Sequence, residues 1–597
     1  MKKVLLAGGA ILALATANGQ IKFDPSIDTA FMNTEFKLPA SPLSTQVLFI
    51  GGVDMVETTP TYGNPGGQKV AKQWHDFIGF TPDNATGTSD LGWVSVNHEM
   101  VEQDNLIGDG GGMTTFKIKR EGDSLVIVNQ TLGDGRSGTF FNVDFVNTVG
   151  ETGMNCGGIV SPDGRIWTAE EWWQGSLDPA FRDTADFVVG TTTPAGFPGF
   201  NGASMTKVEN LNYMVEIDPR EAKAIRKQYN WGRQPFEGGA VMPDNKTVYL
   251  GTDDTPGLFT KFVATTAGDF TAGDLFVFKH DATGAHWVQI DNSDFTTMLH
   301  YADTAIAHGA TMFNRLEWVT EVNGKVYFTE TGRANPGSRW ADDMAKGGVF
   351  APHHVNRATA QGTTPDNSAY VDYYGRVLMY DPATDEVTVH LAGGPDYATS
   401  PAVSAYPAIH LSNPDGLSKI TINGQPYLII CEDLNQTDFG SMPAGIGNAA
   451  CEIFLLDLSI ASPTVDDLLR IGITPVGAEV TGAIGLPDGK TILVNSQHPD
   501  GSNPYPWNNS LTVAINGFDK NAISILEHQT ADGFTIYPNP VSRELRFSEI
   551  TDAAIYDNSG KRIRVYRNTQ SIDVTSLSKG VYYLQNGKGN TYKFIVE

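Results

Sequence analysis

The sequence predicts an all-β chain: a β-propeller with inserted loops, followed by a small C-terminal β-sandwich-like domain. Three observations predict it. From about Gln20 to Asp519, short runs rich in Val, Ile, Phe, Tyr and Thr alternate with Gly, Pro, Asn and Asp, the rhythm of strands and tight turns. Five units share one form, a turn followed by a β-run: Pro162-Asp-Gly-Arg-Ile-Trp-Thr, Pro243-Asp-Asn-Lys-Thr-Val-Tyr-Leu-Gly, Asn323-Gly-Lys-Val-Tyr-Phe-Thr, Asn423-Gly-Gln-Pro-Tyr-Leu-Ile-Ile and Pro487-Asp-Gly-Lys-Thr-Ile-Leu-Val-Asn. They recur irregularly, mostly near 80 residues apart, so a blade longer than the ~40–50 residues of common propellers would carry insertions. Radial packing hides the sheet edges and brings the inner strand ends to one channel.

In chain order, residues 1–20 read as a secretory signal: Lys2 and Lys3, the apolar run Val4 to Ala15, then small residues to Gly19-Gln20. No later apolar run is long enough to span a bilayer, so an exported, soluble chain is expected. The propeller is expected over 21–526. Helix is sparse, with Glu221 to Gln228 a short candidate. Gly332 to Gln361 and Pro395 to Asn413 read as long polar loops of the kind that form lids or binding surfaces. A linker is expected at 527–533. The tail, 534–597, is a separate β unit reading Tyr537-Pro-Asn-Pro-Val, Ala554-Ile-Tyr-Asp-Asn-Ser-Gly, Ile572-Asp-Val-Thr-Ser-Leu, Gly580-Val-Tyr-Tyr-Leu and Tyr592-Lys-Phe-Ile-Val. These motifs, in this order, resemble the C-terminal sorting domain of the type IX secretion system of Bacteroidetes. The resemblance implies that this machinery is a partner, and that the protein reaches the cell surface or is secreted.

Charge narrows the partners. Lys and Arg number 41 against 68 Asp and Glu, a net of −27. The tail, with nine Lys/Arg and six Asp/Glu, is net +3 and the remainder −30. Such an acidic body argues against nucleic acid and anionic lipid. It suits collection of hard cations such as calcium, or simple solubility. The three cysteines, Cys156, Cys431 and Cys451, form no disulfide framework. A Cys431–Cys451 bridge is possible, and at least one thiol is left free.

Cys156 draws attention. Asn155-Cys-Gly-Gly-Ile-Val-Ser and Arg165-Ile-Trp-Thr-Ala-Glu170-Glu171 flank the turn Pro162-Asp-Gly, so antiparallel pairing returns Cys156 beside Glu170 or Glu171. One reading is a buried thiol with two solvated acids; the other is a metal site. Acids recur in the same way elsewhere: Asn97-His98-Glu99, Glu237-Gly-Gly, Arg315-Leu-Glu317-Trp, Cys431-Glu432-Asp433, and Glu479-Val-Thr-Gly with Asn495-Ser-Gln-His498-Pro. In a propeller these would converge on one channel. Clustered carboxylates resist ionising unless cations neutralise them, so the pattern predicts metal.

The ordered set Asn97-His-Glu, Asn155-Cys-Gly-Gly with Glu170-Glu171, Glu237-Gly, Asp253-Asp254 with Lys261-Phe-Val, Arg315-Leu-Glu-Trp, Asn413-Pro-Asp-Gly-Leu, Cys431-Glu-Asp and Glu479-Val-Thr-Gly with Gln497-His-Pro resembles the PhoX family of alkaline phosphatases, from about residue 90 to 500. The resemblance implies a β-propeller with iron and calcium in its channel, hydrolysis of phosphomonoesters, and export. Carried over residue by residue, it implies Cys156 as an iron-ligating thiolate and Glu171, or its neighbour Glu170, as a calcium carboxylate. Glu237 and Glu317 match metal-cluster carboxylates, and Arg315 matches a phosphate-holding arginine. Glu99, Glu432, Asp433 and Glu479 complete an acidic shell. Two positions depart from the family pattern: Phe236 stands where His usually precedes the glutamate, and Ala169 where Cys precedes Glu-Glu.

Two further readings stay open: a non-catalytic, calcium-stabilised surface propeller that binds glycan or protein, and a phosphodiesterase or lactonase on the same scaffold. His353-His354 reads as a solvated loop pair in preference to a transition-metal site. His498 is expected to orient the site by hydrogen bonding, and Trp172-Trp173 to belong to core or rim. The chain is expected to act on a small phosphate ester as a monomer.

Overall fold

The computed structural model describes residues 33–38, 43–61, 65–84, 90–100, 107, 110–171, 184–190, 196–333, 335–372, 374–393, 411–433, 450–520, 534–557, 561–588 and 591–596. The expected signal, the linker at 527–533, Trp172-Trp173 and most of the 395–413 loop lie outside these residues. Contacts divide the chain into two compact units, one over 23–520 and one holding the residues from 521 onward.

The larger unit is a six-bladed propeller among the described residues. Its inner strands are His75–Pro82, Asn155–Val160, Phe236–Val241, Leu316–Val322, Pro414–Ile422 and Glu479–Gly485, taken here as the first strands of blades 1 to 6. Each packs beside the next, and that of blade 6 packs beside that of blade 1, closing the circle. Second strands are Asp90–His98, Ile166–Glu170, Thr247–Thr252, Lys325–Glu330, Gln425–Glu432 and Thr491–Gln497. All pair antiparallel to their inner strands. Blade 6 is built from both ends of this unit: Ser44–Ile50 pairs with Leu511–Asn516. That pairing ties the ring shut with backbone hydrogen bonds and removes the open edge that a linear array of sheets would present.

The five turn-and-run units of the sequence are the hairpins joining first and second strands in blades 2 to 6. Asn323 and Gly324 have φ of 53° and 80°, and Asn423 and Gly424 have φ of 51° and 84°, the left-handed pairs that two-residue hairpins favour. The corresponding connection of blade 1 includes residues 85–89, which lie outside the described residues. Aromatic side chains fill the wedges between blades. Trp167 of blade 2 lies 5.9 Å from Trp231 and 5.3 Å from Phe270, ring centre to ring centre. All three are buried, and truncating one such ring costs about 3–5 kcal/mol.

Two sequence readings are corrected here. Residues 221–228 do not form a helix. Ala222 turns with φ 47°, and Lys223–Lys227 pairs as the outer strand on Met214–Asp218, so sheet pairing overrides the helical propensity of Glu, Ala and Lys. The 332–361 stretch is not an open loop. It contains the helices Gly337–Lys346 and Pro352–Ala360, anchored by a fully buried Trp340 and opened in the second case by a proline, which suits the first helical turn. Cys431 and Cys451 are free, buried thiols of blade 5.

The C-terminal unit is a five-stranded antiparallel sheet in which Glu544–Asp557 pairs with Ile536–Tyr537, Arg562–Asp573 and Gly580–Asn586, and Thr591–Val596 forms an edge. Leu545, Phe547, Ile555, Ile572, Leu584 and Phe594 form its core.

The inner strands approach one another closely at the channel. A Cβ on Gly157 would sit 1.5 Å from the Glu237 carbonyl oxygen of the next blade, so only glycine fits. Gly157→Ala is expected to lower unfolding free energy by about 1–3 kcal/mol or more through forced separation of blades 2 and 3, read as a drop in urea midpoint with unchanged m-value.

Candidate metal centre and active site

One geometric rule builds the site. In every blade the first residue of the inner strand pairs with the last residue of the second strand: His75 with His98, Asn155 with Glu170, Phe236 with Thr252, Leu316 with Glu330, Pro414 with Glu432 and Glu479 with Gln497. In blades 1 to 5 the ladder slips by a β-bulge immediately after this pair; in blade 6 the slip comes later, between Thr481 and Ala483. A bulge leaves a residue outside the pleat and re-aims its side chain. The re-aimed side chains are Asp76, Cys156, Glu237, Glu317 and Asp415, each second in its inner strand; Glu479, the first of its own strand, joins them from a regular pair. All six line one cavity of about 190 Å³. A second tier comes from the residue just past the second strand: Glu99, Glu171, Asp253 and Asp433. The equivalent places in blades 4 and 6 hold Thr331 and His498. Arg315, one residue before its inner strand, completes the lining.

Among the described residues, nine carboxylates and one thiol therefore face a single guanidinium. At ~5 Å and an effective dielectric near 20, each pair of like charges costs about 3 kcal/mol, so full ionisation is untenable without compensation. The acids respond accordingly. Burial, followed by repulsion from Glu99, Glu479 and Glu317, pushes Asp76 well above the usual carboxylate range. Burial and neighbouring acids do the same to Glu171, Glu237, Asp415 and Glu479. Glu317 is raised by burial, and the opposing attraction of Arg315 does not cancel this. The Cys156 thiol is raised by burial and then by Glu171 and Glu237. Burial opposes the charge of Arg315, yet Asp253, Glu317 and Asp433 together hold it well above its usual range. The same arginine holds Asp253 low despite burial.

Distances define two donor sets that share the sulfur. The ligand atoms of Asp76, Cys156 and Glu237 lie within 4.8 Å of one another, as do those of Glu99, Cys156 and Glu171. Cys156 Sγ is 2.6 Å from Glu171 Oε2. Buried Asp76 Oδ1 and Asp415 Oδ1 have no hydrogen-bond partner, which in a native site calls for an ion or ordered water. The residues thus fit a metal cluster. The supporting contacts hold it open: Asn97 Nδ2 donates to the carbonyls of Cys156 and Gly157 at 2.5 and 2.8 Å, and Gln497 Nε2 donates to Glu99 Oε2 at 2.9 Å. His498 Nε2 lies 3.3 Å from Glu479 Oε2, the orienting contact expected of it. Arg315 grips Asp253 with two bonds, Nε to Oδ1 at 2.9 Å and Nη2 to Oδ2 at 3.2 Å. It also meets Asp433 at 3.2 Å and Glu317 at 2.8 Å.

Eight of the ten sequence-selected residues thus meet in one cavity: Cys156, Glu171, Glu237, Glu317, Glu99, Asp433, Glu479 and Arg315. Glu170 and Glu432 do not. They end their second strands, one residue short of the channel, and turn inward. Glu170 pairs with buried Lys227 at 2.7 Å and accepts from Thr152 and the Tyr213 amide. Glu432 accepts from the Ser412 and Glu452 amides. Asp76, Asp253 and Asp415 were not selected from the sequence. Asp253 and Asp415 stand within stretches that carried the family resemblance, and Asp415 sits in a Pro-Asp-Gly that reads as a turn. Only its place as the second residue of an inner strand marks its role. Helix Pro352–Ala360 buries His354 completely, and His353 and His354 both bond Glu330, so this pair is not a solvated loop.

The family model for alkaline phosphatase PhoX matches residues 32–500. The chain belongs to the PhoX alkaline phosphatase family. This PhoX chain is thus a metal-dependent phosphomonoesterase. Residues 535–597 match a secretion system C-terminal sorting domain, which marks the protein for export by the type IX system to the cell surface or the medium. No curated protein matches the chain. Among solved structures it is similar to Pseudomonas fluorescens PhoX in complex with vanadate, a transition-state analogue, with 19% identity, 82% of this chain and 97% of that chain covered, and a TM-score of 0.56. That likeness shows the fold. The RRP9 WD40 repeats (7% identity, 79% and 100% covered, TM-score 0.33) and a Xanthomonas campestris gluconolactonase (10%, 51% and 79%, 0.22) are more remote and carry no argument.

The raised carboxylates fix a pH dependence. A folded-state pKa above the unfolded value means that the native state binds the extra proton, so stability falls as pH rises through the interval. Chelator-treated protein is expected to lose thermal stability as pH rises above the ordinary carboxylate range. Calcium-replete protein should stay flat over the same range in scanning calorimetry.

Proposed function

We propose that this PhoX protein hydrolyses phosphomonoesters at a cluster of iron and calcium ions held by the bulged inner-strand residues, with Arg315 gripping the phosphate. The observation that carries the reading is the sharing of one cysteine sulfur by two carboxylate sets. A soft sulfur donor with hard oxygens suits iron, whereas the oxygen-only remainder suits calcium. Cys156 with Asp76 and Glu237 would hold iron. Glu99 and Glu171 adjoin the same sulfur, and Glu317, Asp415, Asp433 and Glu479 would hold calcium. Bound cations would neutralise phosphate oxygens and supply an activated oxygen nucleophile.

The chain's own groups then do the rest. Cations held by the acids would invert the local field, so that a phosphate dianion could enter a cavity whose walls are formally negative. Arg315 carries a planar fork, now engaged by Asp253, that would fit two phosphate oxygens when substrate exchanges for that carboxylate. Its present carboxylate partners keep it charged and aimed along the channel. The blade walls and Asn97 keep the sulfur and acids in place, so no reorganisation is needed as charge develops.

The two departures from the family pattern fall outside this lining. Phe236 and Ala169 are both buried in the hydrophobic core between blades. They leave the acids untouched, which favours catalysis over the non-catalytic surface propeller. The type IX secretion machinery is the partner proposed for the sorting tail, and the mature propeller is proposed to act as a monomer.

Elemental analysis with a p-nitrophenyl phosphate assay tests the reading. Purified protein is expected to carry iron and several calcium ions per chain, and Cys156→Ser to lose the iron and at least about 10³-fold in kcat/KM. Calcium without iron would point to the non-catalytic propeller. Faster turnover of bis-(p-nitrophenyl) phosphate than of the monoester would point to a phosphodiesterase.

A further inference from the structure

Gripping phosphate requires that the Arg315 guanidinium be aimed into the channel, and the backbone that aims it is unusual. Arg315 has φ +62°, a left-handed conformation that a residue with a Cβ holds only when its surroundings over-determine it. Those surroundings lie behind the site, in residues that line no part of it.

Asn314 is fully buried and held on every side. Its amide N donates to Glu330 Oε1 at 2.7 Å. Its Nδ2 donates to Asp372 Oδ2 at 3.1 Å and to the Arg333 carbonyl at 3.3 Å. Its Oδ1 accepts from Thr255 Oγ1 at 3.1 Å, and its carbonyl accepts from the Gly332 amide at 3.1 Å. Arg315 continues the pattern: its N donates to the Asp254 carbonyl and its carbonyl accepts from the Thr331 amide, both at 2.9 Å.

Glu330 and Asp372 are themselves immobilised. Glu330 Oε1 also meets His354 Nε2 at 2.5 Å, and Oε2 meets His353 Nε2 at 2.7 Å and Arg376. Asp372 Oδ1 accepts from Arg357 and Arg376, and His354 Nδ1 is 2.5 Å from the Tyr370 hydroxyl. Each Glu330 oxygen therefore carries two partners, which fills its lone pairs. Two buried carboxylates balance two guanidiniums. A cation drawn to His353, His354 and Glu330 would displace these donors and leave buried charge uncompensated. The cluster has the composition of a brace rather than of a second metal centre.

We propose that Asn314, locked by Glu330 and Asp372, is the positioning residue for Arg315 and governs phosphate affinity only through the backbone it fixes. The proposal rests on the phosphate-gripping role given to Arg315 above. Its test uses the purified, metal-replete chain and inorganic phosphate as a competitive inhibitor of p-nitrophenyl phosphate hydrolysis. Wild type, Asn314→Ala, Arg315→Ala and the double variant are compared, with metal content measured on each. Asn314→Ala is expected to raise KM and the phosphate Ki at least about tenfold, to leave metal content unchanged, and to add nothing in the Arg315→Ala background. Thr255→Val removes only the hydroxyl that donates to Asn314 Oδ1. It should reproduce the pattern at about two- to fivefold, and it stands in if Asn314→Ala does not fold. An unchanged Ki, or losses that add in the double variant, overturns the brace while leaving the role of Arg315 intact. An unchanged Ki in Arg315→Ala itself overturns the phosphate-gripping reading, and the brace with it.

Discussion

Repulsion among nine carboxylates in one small cavity is the constraint on which the rest of this molecule depends. The propeller creates the crowding, since six inner strands converge, five of them bulged at the same register, and one inner-strand residue per blade turns into the channel. The same geometry makes the crowding usable. Acids set on rigid strands, with backbones tied to their neighbours, cannot splay apart to relieve their repulsion. They must take up protons or cations. The ring closure between Ser44–Ile50 and Leu511–Asn516 is therefore part of the site, because an open ring would let the blades relax outward.

Much of this was legible in the chain. The repeated turn before a β-run marks the hairpins of blades 2 to 6, because the turn needs residues that tolerate positive φ and those residues are few. Cys156 beside Glu170 or Glu171 follows from hairpin symmetry about Pro162-Asp-Gly. What could not be read was phase. Glu170 and Glu171 are adjacent letters, yet the strand's alternation sends one to Lys227 and the other to the channel. The same one-residue difference separates Glu432 from Asp433. Asp76 and Asp415 are ordinary acids until the bulge after each is known, and a bulge is a tertiary event with no local code. The residues 221–228 have helical propensity and became a strand because an unpaired sheet edge lay beside them.

The arginine shows how the polar interior extends beyond the acids. Among the described residues Arg315 is the sole cation in the cavity lining, and its left-handed backbone is enclosed by hydrogen bonds that reach through Asn314 to a buried, charge-balanced cluster on blade 4 and helix Pro352–Ala360. That helix lies in a stretch whose polar, Gly-rich composition suggested a lid. Its histidines instead face inward onto Glu330, so an apparently solvated insertion supports the wall of the channel. The insertions that stretch the blades beyond common length are in this case structural.

The central claim is that the inner-strand acids and Cys156 are metal ligands, and the most direct measurement is anomalous diffraction from crystals of the purified protein, collected on either side of the iron absorption edge. The account predicts an iron peak within bonding distance of Cys156 Sγ and of carboxylate oxygens from Asp76 and Glu237, with weaker, edge-independent peaks among Glu317, Asp415, Asp433 and Glu479. A channel free of anomalous peaks, with Cys156 Sγ bonded only to Glu171, would contradict it.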